Sequence, residues 1–232
     1  MCAKGWRRSG ELIPPTPGTV HRPHDLLWLA DAAWQVNADR LPAWATPAWL
    51  AAAPVVVRRA MVDAGQVPVG LRRKTRHERF ATRVPAKQVL RAMSPEAVLD
   101  AWLQRGSEDR CSLPCLQTLA ALAPALSALS LACGVTGSVG FTLASGIDVL
   151  REDSDLDLLV RAPSSADAGL LREIVRMLRD HPARVDLQVE TPAGAFALLE
   201  WSRTGGPVLL KSALGPVLSD DPWCLPQRKA TA

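Results

Sequence analysis

The spacing of apolar and polar residues along the 232-residue chain predicts strands and helices arranged in two units. Before the first unit, residues 1–21 contain charge and proline but no apolar segment, and we expect a flexible leader there. HDLLWLA and APVVVRRAM then have the Leu-rich and Val-rich pattern of strands. Between them, Thr46-Pro47 is typical of a helix N-cap followed by proline. We therefore predict an N-terminal α+β module over residues 22–85.

A longer second unit, residues 86–232, has the pattern of a mixed sheet covered by helices. Ser94-Pro95 predicts the start of one helix, and the apolar residues 114–128 predict a second. A short strand ends at CGVTGS, before a short helix, VGFTLAS, that Gly146 closes. The predicted fold class is α/β in its α+β form: this mixed sheet with helices, plus the smaller N-terminal module.

Further segments continue the second unit after Gly146. SDLDLLVRA and ARVDLQVET are predicted strands, separated by an amphipathic helix for which Ser165 is the expected N-cap. Thr191-Pro192 has the pattern of another helix start, over PAGAFALLEW. GGPVLLKSALGPVL then predicts a Gly-Gly turn and two short strands, which complete the unit.

One stretch of the second unit, from Cys111 to Ile147, contains no charged residue. It is long enough for a membrane span, but Pro124 and several polar residues interrupt it, and we favour a buried helix followed by a buried strand. A hydrophobic content of 48% with 22% charged residues fits a globular protein. The five cysteines have no regular spacing, which favours free thiols. We expect a cytoplasmic protein without a membrane partner.

Two aspartates, Asp155 and Asp157, lie one residue apart in the apolar run DLDLLV. Residues two apart on a strand point to the same side, so these carboxylates share a face and repel each other. A divalent cation removes that repulsion, and Mg²⁺ prefers such oxygen ligands together with substrate phosphates. Asp186 has the same alternation on the next strand. If that strand is a neighbour, the three acids are candidate catalytic residues and ligands of a two-metal Mg²⁺ site.

Gly137-Ser138 follows a predicted strand and opens a short helix. Glycine lets a ligand approach the backbone, and a helix N-terminus offers free N–H groups to phosphate oxygens. Alone, neither Gly-Ser nor Asp-x-Asp is specific, because solvated aspartates on edge strands are common. Their order along the chain is more specific, and it predicts that Gly137 and Ser138 bind the phosphates that the metals bridge.

Several basic residues are further candidates for binding phosphate. Arg72, Arg76 and Arg79 in RRKTRHER share one face if the run is helical, and they could clamp phosphate groups or form a solvated or nucleic-acid-binding surface. Lys211 could bind a diphosphate leaving group, or its side chain could extend to solvent. His24 and Asp25 could form a general-base pair, although a structural hydrogen bond is the favoured interpretation.

TGSVGFTLASG followed by SDLDLLV resembles the DNA-polymerase-β-type nucleotidyltransferase superfamily, whose signature is Gly-Ser, a spacer and Asp-x-Asp; the spacer here is longer than usual. RPHDLLWL and VPVGLRRKTRHERFA extend the similarity to most of the chain. Together these segments resemble the holo-acyl-carrier-protein synthase of malonate decarboxylase, or phosphoribosyl-dephospho-CoA transferase. Arg73 stands where that family more often has glycine.

The resemblance implies a donor, an acceptor and a nucleotidyltransferase-like catalytic domain. The donor is 2'-(5''-triphosphoribosyl)-3'-dephospho-CoA, and the acceptor is a serine of the apo acyl-carrier subunit of malonate decarboxylase. The hydroxyl attacks the α-phosphorus, diphosphate leaves, and no nucleic acid takes part. The alternatives are the sister transferase of citrate lyase, another metal-dependent nucleotidyltransferase, and an inactive nucleotide-binding module.

Overall fold

A computed structural model describes residues 20–35, 38–75, 77–105, 112–205 and 207–224. Within these residues the chain forms two β-sheets, one in each predicted unit, with most of the helices around the second sheet. Helices and two sheets together make an α+β protein, so the predicted fold class is confirmed. Of the predicted leader, only Val20 and His21 belong to the described residues.

The N-terminal sheet has five strands in the order β4-β3-β2-β1-β5, and all its neighbours are antiparallel. Thr46 caps α2 by accepting a 3.3 Å hydrogen bond from the Trp49 amide, which confirms the predicted helix start. The fifth strand lies beyond residue 85, where we placed the end of the first unit. The elements are β1 (Leu26–Leu29), α1 (Ala32–Gln35), α2 (Pro47–Ala52), β2 (Val55–Val57), β3 (Gln66–Arg72), β4 (Arg79–Pro85) and β5 (Val89–Met93).

Arg72 ends β3 and Arg79 begins β4, so these two arginines belong to a hairpin and do not share a helical face. Strands β3 and β4 pair along their whole length, from Gln66 opposite Pro85 to Arg72 opposite Arg79. Val67, Val69 and Leu71 alternate into the core. This period of two is the strand pattern, and burial of that row outweighs the spacing of the arginines.

The C-terminal sheet has six strands in the order β11-β10-β9-β8-β7-β6. Strands β7 and β8 are parallel, and the other neighbours are antiparallel. The elements are α3 (Pro95–Gln104), α4 (Pro114–Ser127), β6 (Ala132–Val135), α5 (Gly137–Ser145), β7 (Leu156–Arg161), α6 (Ala168–Met177), β8 (Val185–Thr191), β9 (Gly194–Ala197), α7 (Leu198–Thr204), β10 (Val208–Ser212) and β11 (Gly215–Ser219).

Two local predictions in this unit are wrong. Thr191-Pro192 begins a tight turn into β9 rather than a helix, because the Thr191 hydroxyl accepts hydrogen bonds from Ala193 and Gly194, each 3.2 Å long. The helix starts later, at Leu198. Ser164, not Ser165, accepts the capping hydrogen bond before α6, because a short 3-10 turn precedes that helix.

The uncharged stretch forms the buried helix α4 and the buried strand β6, as we predicted. Leu119, Leu122 and Leu126 of α4 are almost inaccessible to solvent. Thr118 is also buried, and its hydroxyl accepts a 3.0 Å hydrogen bond from the Ala183 amide. Within the described residues, no helix combines the length and the apolar character that crossing a membrane requires.

The two units pack on each other through an apolar cluster and buried ion pairs. Trp49 of α2 stacks on Phe141 of α5, with ring centroids 6.5 Å apart. Arg59, which follows β2, forms an ion pair with Glu190 of β8, and Glu190 is only 7% exposed. Such pairs are costly to break because each partner would remain buried without a counter-charge. Glu190 lies four residues after Asp186 on β8, so this ion pair joins the two units away from the end of the strand that carries Asp186.

Candidate active site

The three predicted acidic residues meet at one end of the parallel strands β7 and β8. Asp155 lies just before β7, and Asp157 is the second residue of that strand. The parallel register places Asp157 directly opposite Asp186 of β8. All three carboxylates line a polar cavity of about 610 Å³, which we call the polar cavity. The predicted adjacency of the two strands is therefore correct.

Gly137 and Ser138 begin α5 directly beside Asp157. The Thr136 amide donates a 2.9 Å hydrogen bond to the Asp157 carbonyl, so the start of α5 is fixed to β7. Gly137 has a φ of +62°, and an ideal Cβ there would lie 2.7 Å from the Asp157 Cβ. Real Cβ atoms do not approach so closely, and the backbone is left-handed. Only glycine therefore fits this position without moving the Asp157 side chain.

Arg72 reaches the same place from the N-terminal sheet. Its Nη2 donates a 2.9 Å hydrogen bond to the Ser138 hydroxyl, and its guanidinium lies 5.1 Å from the centre of the Phe141 ring. Burial lowers the pKa of Arg72, and repulsion from Arg79 adds to this effect. The buried Nε has no hydrogen-bond partner among the described residues. A buried donor without a partner is costly, and a phosphate oxygen would satisfy it.

Other residues of the polar cavity were not predicted from the sequence. They are Lys74, Thr75, Val149, Arg151, Asp153, Ser154 and Arg184. Arg184 lies two residues before Asp186 and immediately before β8, so the alternation that identified Asp186 could also have identified it. The loop residues Arg151, Asp153 and Ser154 have no such signal. The cationic residues Lys74, Arg151 and Arg184 add to the positive charge of Arg72 and Arg79. This charge is what a polyphosphate ligand requires.

Among the predicted binding residues that the structure describes, Lys211 is not brought to this cavity. Arg76 lies outside the described residues. Lys211 lines neither the polar cavity nor a second, more apolar cavity that lies beside it, between the N-terminal sheet and α5. It is exposed on β10, two strands away from β8 in the sheet. Arg73 turns aside to Glu78 at 3.2 Å. Arg72, rather than Arg73, is therefore the arginine of this pair that points into the site.

His24 and Asp25 do not form a pair with each other. Asp25 accepts a 2.8 Å hydrogen bond from the Arg22 amide, which is a structural role. His24 has a φ of +74°, and its Nε2 lies 3.7 Å from Glu190. Burial lowers the pKa of His24, while the Glu190 carboxylate acts in the opposite direction. His24 lines the neighbouring apolar cavity rather than the polar one.

The carboxylates of the polar cavity have the ligand chemistry that Mg²⁺ requires. Hard oxygen ligands from one or two side chains, completed by substrate phosphates, are the usual magnesium environment. Asp157 and Asp186 are cross-strand neighbours, and Asp155 lines the same cavity. In the described part of the chain, however, no three His, Cys, Asp or Glu side chains are grouped closely enough to hold a metal together. The site thus suits a metal that phosphates help to coordinate.

Comparison with known proteins identifies the class to which this fold and site belong. Residues 22–95 match the family model of the phosphoribosyl-dephospho-CoA transferase MdcG N-terminal domain, and residues 102–222 match that of the C-terminal domain. No solved structure matches the chain. The two models together cover both units of the fold, so the protein is an enzyme of the transferase class.

Individual relatives agree with the family models. A phosphoribosyl-dephospho-CoA transferase of Pseudomonas putida (strain W619) is 46% identical over 205 residues, which cover 88% of this chain and 96% of the relative. The transferase of the same name from Klebsiella pneumoniae (strain 342) is 45% identical over 202 residues, covering 87% and 96%. The chain belongs to the phosphoribosyl-dephospho-CoA transferase family, as its resemblance indicated.

Proposed function

We propose that this enzyme transfers the 2'-(5''-triphosphoribosyl)-3'-dephospho-CoA group to a serine of the apo acyl-carrier subunit of malonate decarboxylase, with release of diphosphate. One observation carries the proposal. In a member of this family, the three predicted carboxylates, a glycine-serine helix start and four arginines line a single cavity. That combination suits a polyphosphate whose charge must be neutralised while one phosphorus atom is attacked.

In this proposal the polar cavity binds the triphosphate arm of the donor. Ser138 and the first amides of α5 face phosphate oxygens, as helix N-termini commonly do. Arg72 contributes its partnerless Nε, and Arg79 extends the positive charge on the neighbouring strand. The close packing of Gly137 against Asp157 brings the phosphate-binding backbone beside the carboxylates. The same arrangement supports placing the C-terminal unit in the DNA-polymerase-β-type nucleotidyltransferase superfamily.

Asp155, Asp157 and Asp186 would hold Mg²⁺, and two ions are the arrangement we favour. When bound, the metal neutralises charge on the α-phosphate and on the departing diphosphate. The chain's own residues position the reactants. A bond forms between the acceptor serine oxygen and the α-phosphorus, and the bond from that phosphorus to the α,β-bridging oxygen breaks. Diphosphate takes the electron pair, and the serine proton passes to a carboxylate of the cavity.

The test is reconstitution of the transfer with purified components. The enzyme is incubated with the donor, Mg²⁺ and the apo acyl-carrier subunit, and the intact mass of the carrier and the release of diphosphate are measured. We expect a mass increase equal to the donor minus diphosphate, with one diphosphate released per modified carrier. Both should disappear with a carrier whose acceptor serine is alanine and with the enzyme variant Asp157→Asn.

The carrier subunit of citrate lyase is the comparison that tests the acceptor. Faster modification of that protein than of the malonate decarboxylase subunit would reject the proposed acceptor but keep the chemistry. A carrier that gains mass without release of diphosphate would reject the proposed chemistry itself. Full turnover by Asp157→Asn would remove the acidic residues from the mechanism.

A further inference from the structure

The polar cavity opens into a second cavity of a different character. This apolar cavity, of about 440 Å³, lies between the N-terminal sheet and α5. It shares four residues with the polar cavity: Arg72, Arg79, Gly137 and Asp157. The two cavities therefore lie next to each other, with these four residues between them. Its size lies within the range of small-molecule sites.

The walls of the apolar cavity come from both units of the protein. Leu26, Val56, Phe80 and Phe141 supply apolar surface. Polar side chains line the cavity as well, and one of them is Gln188 of β8, two residues after Asp186. An amide that can both donate and accept suits the edge of an adenine ring.

A third cavity continues from the apolar one along the N-terminal sheet. It has a volume of about 320 Å³ and shares Arg58 and Ala81 with the apolar cavity. Arg40 and Arg83 also line it, and we call it the arginine groove. Arg83 forms a 3.5 Å ion pair with the exposed Asp63. Three guanidinium groups on one short surface indicate an anionic ligand such as a phosphate pair. Met61 and Val62 supply apolar surface in the same groove.

The sequence of cavities follows the chemical sequence of the proposed donor. A triphosphate is joined through riboses to adenine, the adenosine is joined to a diphosphate, and pantetheine follows. The polar cavity combines cationic side chains with carboxylates, the apolar cavity combines apolar walls with polar side chains, and the arginine groove is cationic with an apolar side. We propose that the N-terminal sheet binds the CoA part of the donor: the apolar cavity holds the adenosine, and the arginine groove holds the 5'-diphosphate.

This inference rests on the proposed function and assigns a purpose to the first unit. Arg58 is exposed and its backbone is fixed by a 2.8 Å hydrogen bond from its amide to the Pro68 carbonyl, so the side chain is presented from a stable strand end. The donor would bridge both units, with its reactive end at β7 and β8. Recognition of the CoA part would then separate this donor from ordinary nucleoside triphosphates, which lack it.

The experiment measures binding by calorimetry with probes that each fill part of the site. The probes are 3'-dephospho-CoA, ADP, 4'-phosphopantetheine and inorganic tripolyphosphate. In the variant Arg40→Ala/Arg58→Ala, we expect 3'-dephospho-CoA to bind about tenfold more weakly, since charged hydrogen bonds are lost. Tripolyphosphate affinity should not change, because the polar cavity is intact. Gln188→Leu should weaken ADP and 3'-dephospho-CoA but not tripolyphosphate.

A third variant and a charge-matched control keep the test decisive. Ala81→Trp should obstruct the junction between the apolar cavity and the arginine groove, and it should weaken 3'-dephospho-CoA and ADP but not tripolyphosphate. Arg176→Ala/Arg179→Ala removes the same charge from exposed positions in and after α6, and it should leave every affinity unchanged. If all three cavity variants bind 3'-dephospho-CoA with the wild-type affinity, the inference is overturned.

Two other results would also overturn it. If 4'-phosphopantetheine competes with 3'-dephospho-CoA for the apolar cavity and ADP does not, the pantetheine arm occupies that cavity. If the variants alter only the KM for the carrier protein, the cavities bind the acceptor. The transfer assay remains a separate measurement. Wild-type enzyme that binds 3'-dephospho-CoA along these cavities but modifies no carrier would reject the proposed function and leave this binding site standing.

Discussion

Arg72 of the N-terminal sheet donates a 2.9 Å hydrogen bond to the hydroxyl of Ser138 at the start of α5. The two residues are 66 positions apart and belong to different units, so both units contribute to the proposed phosphate site. The main-chain carbonyl of Arg72 also accepts a 3.1 Å hydrogen bond from the Trp49 indole, which fixes the end of β3. The position of the guanidinium therefore depends on the packing of both units.

Replacing Arg72 should show that its fork geometry is needed as well as its charge. We expect Arg72→Lys to weaken donor binding by about tenfold, because the compact ammonium lacks the planar guanidinium, whose Nη2 bonds Ser138 while Nε remains for phosphate. Arg72→Ala and Ser138→Ala should be non-additive in unfolding by about 1 kcal/mol, the usual worth of such a bond. The checks are donor titration and denaturant unfolding of the single and double variants. Strict additivity would show that the hydrogen bond is absent in solution.

Gly137 should be intolerant of even one added carbon. Gly137→Ala places a Cβ against the Asp157 side chain and forces a left-handed backbone that costs about 1–2 kcal/mol. We expect loss of transfer activity and a lower free energy of unfolding. Gly205→Ala is the matched control, because Gly205 has a φ of +59° and no atom near its missing Cβ. The control should lose stability but keep full activity; equal activity in both variants would contradict the proposed contact.

Asp186 should matter for the chemical step more than for binding the donor. Its carboxylate faces Asp157 across the parallel strands, while Glu190 on the same strand is buried in its ion pair with Arg59. We expect Asp186→Asn to reduce kcat by about a hundredfold or more, a typical effect of removing charge stabilisation, with little change in donor affinity. Asp153→Asn, at an exposed position of the same cavity, is the control. A purely binding defect in Asp186→Asn would assign that carboxylate to donor recognition.

Stability should fall in mild acid because His24 is held neutral. Burial lowers its pKa, and the charges of Arg59, Arg161 and Lys211 act in the same direction, against Glu190. As the pH falls, the unfolded chain therefore takes up the proton before the folded protein does. The stabilising contribution of neutral His24 is fully present above about pH 6.5 and decreases below it, until the lowered folded-state pKa is reached. His24→Asn removes this titration while asparagine accepts the positive φ.

The measurement for this prediction is the free energy of unfolding between pH 5 and 8. We expect the variant to have a smaller decrease below pH 6.5 than the wild type. The decrease should not vanish, because burial also lowers the pKa of His21. Identical slopes in the two proteins would mean that His24 takes up its proton equally in the folded and unfolded states.

The strand that carries Asp186 could be predicted because its apolar and polar side chains alternate from Val185 to Val189. In ARVDLQVET, the apolar residues Val185, Leu187 and Val189 are buried, and Asp186 lies on the opposite face. The same holds for the helix starts at Thr46 and Ser94, whose caps use residues close in sequence. Local periodicity and capping depend on neighbours within a few positions, so sequence alone contains that information.

The hairpin of β3 and β4 could not be predicted, because the residue pattern between its two strands is misleading when it is read locally. The charged run between Arg72 and Arg79 fits a helical face as well as a turn, and only pairing of β3 with β4 over seven positions decides between them. Burial of Val67, Val69 and Leu71 against the rest of the sheet supplies that decision. The helix predicted to start at Thr191-Pro192 was wrong for the same reason. There the chain turns so that Gly194 lies against the Lys211 carbonyl of another strand.

By itself, the sequence determined the class of fold, the acidic residues and the glycine-serine helix start, because each depends on the order of nearby residues. The tertiary structure decided which of these meet. It placed Asp157 opposite Asp186, brought Arg72 to Ser138 across two units, and left Lys211 two strands away from β8. These outcomes depend on strand order and on packing between the sheets, and long-range burial rather than local pattern fixes both.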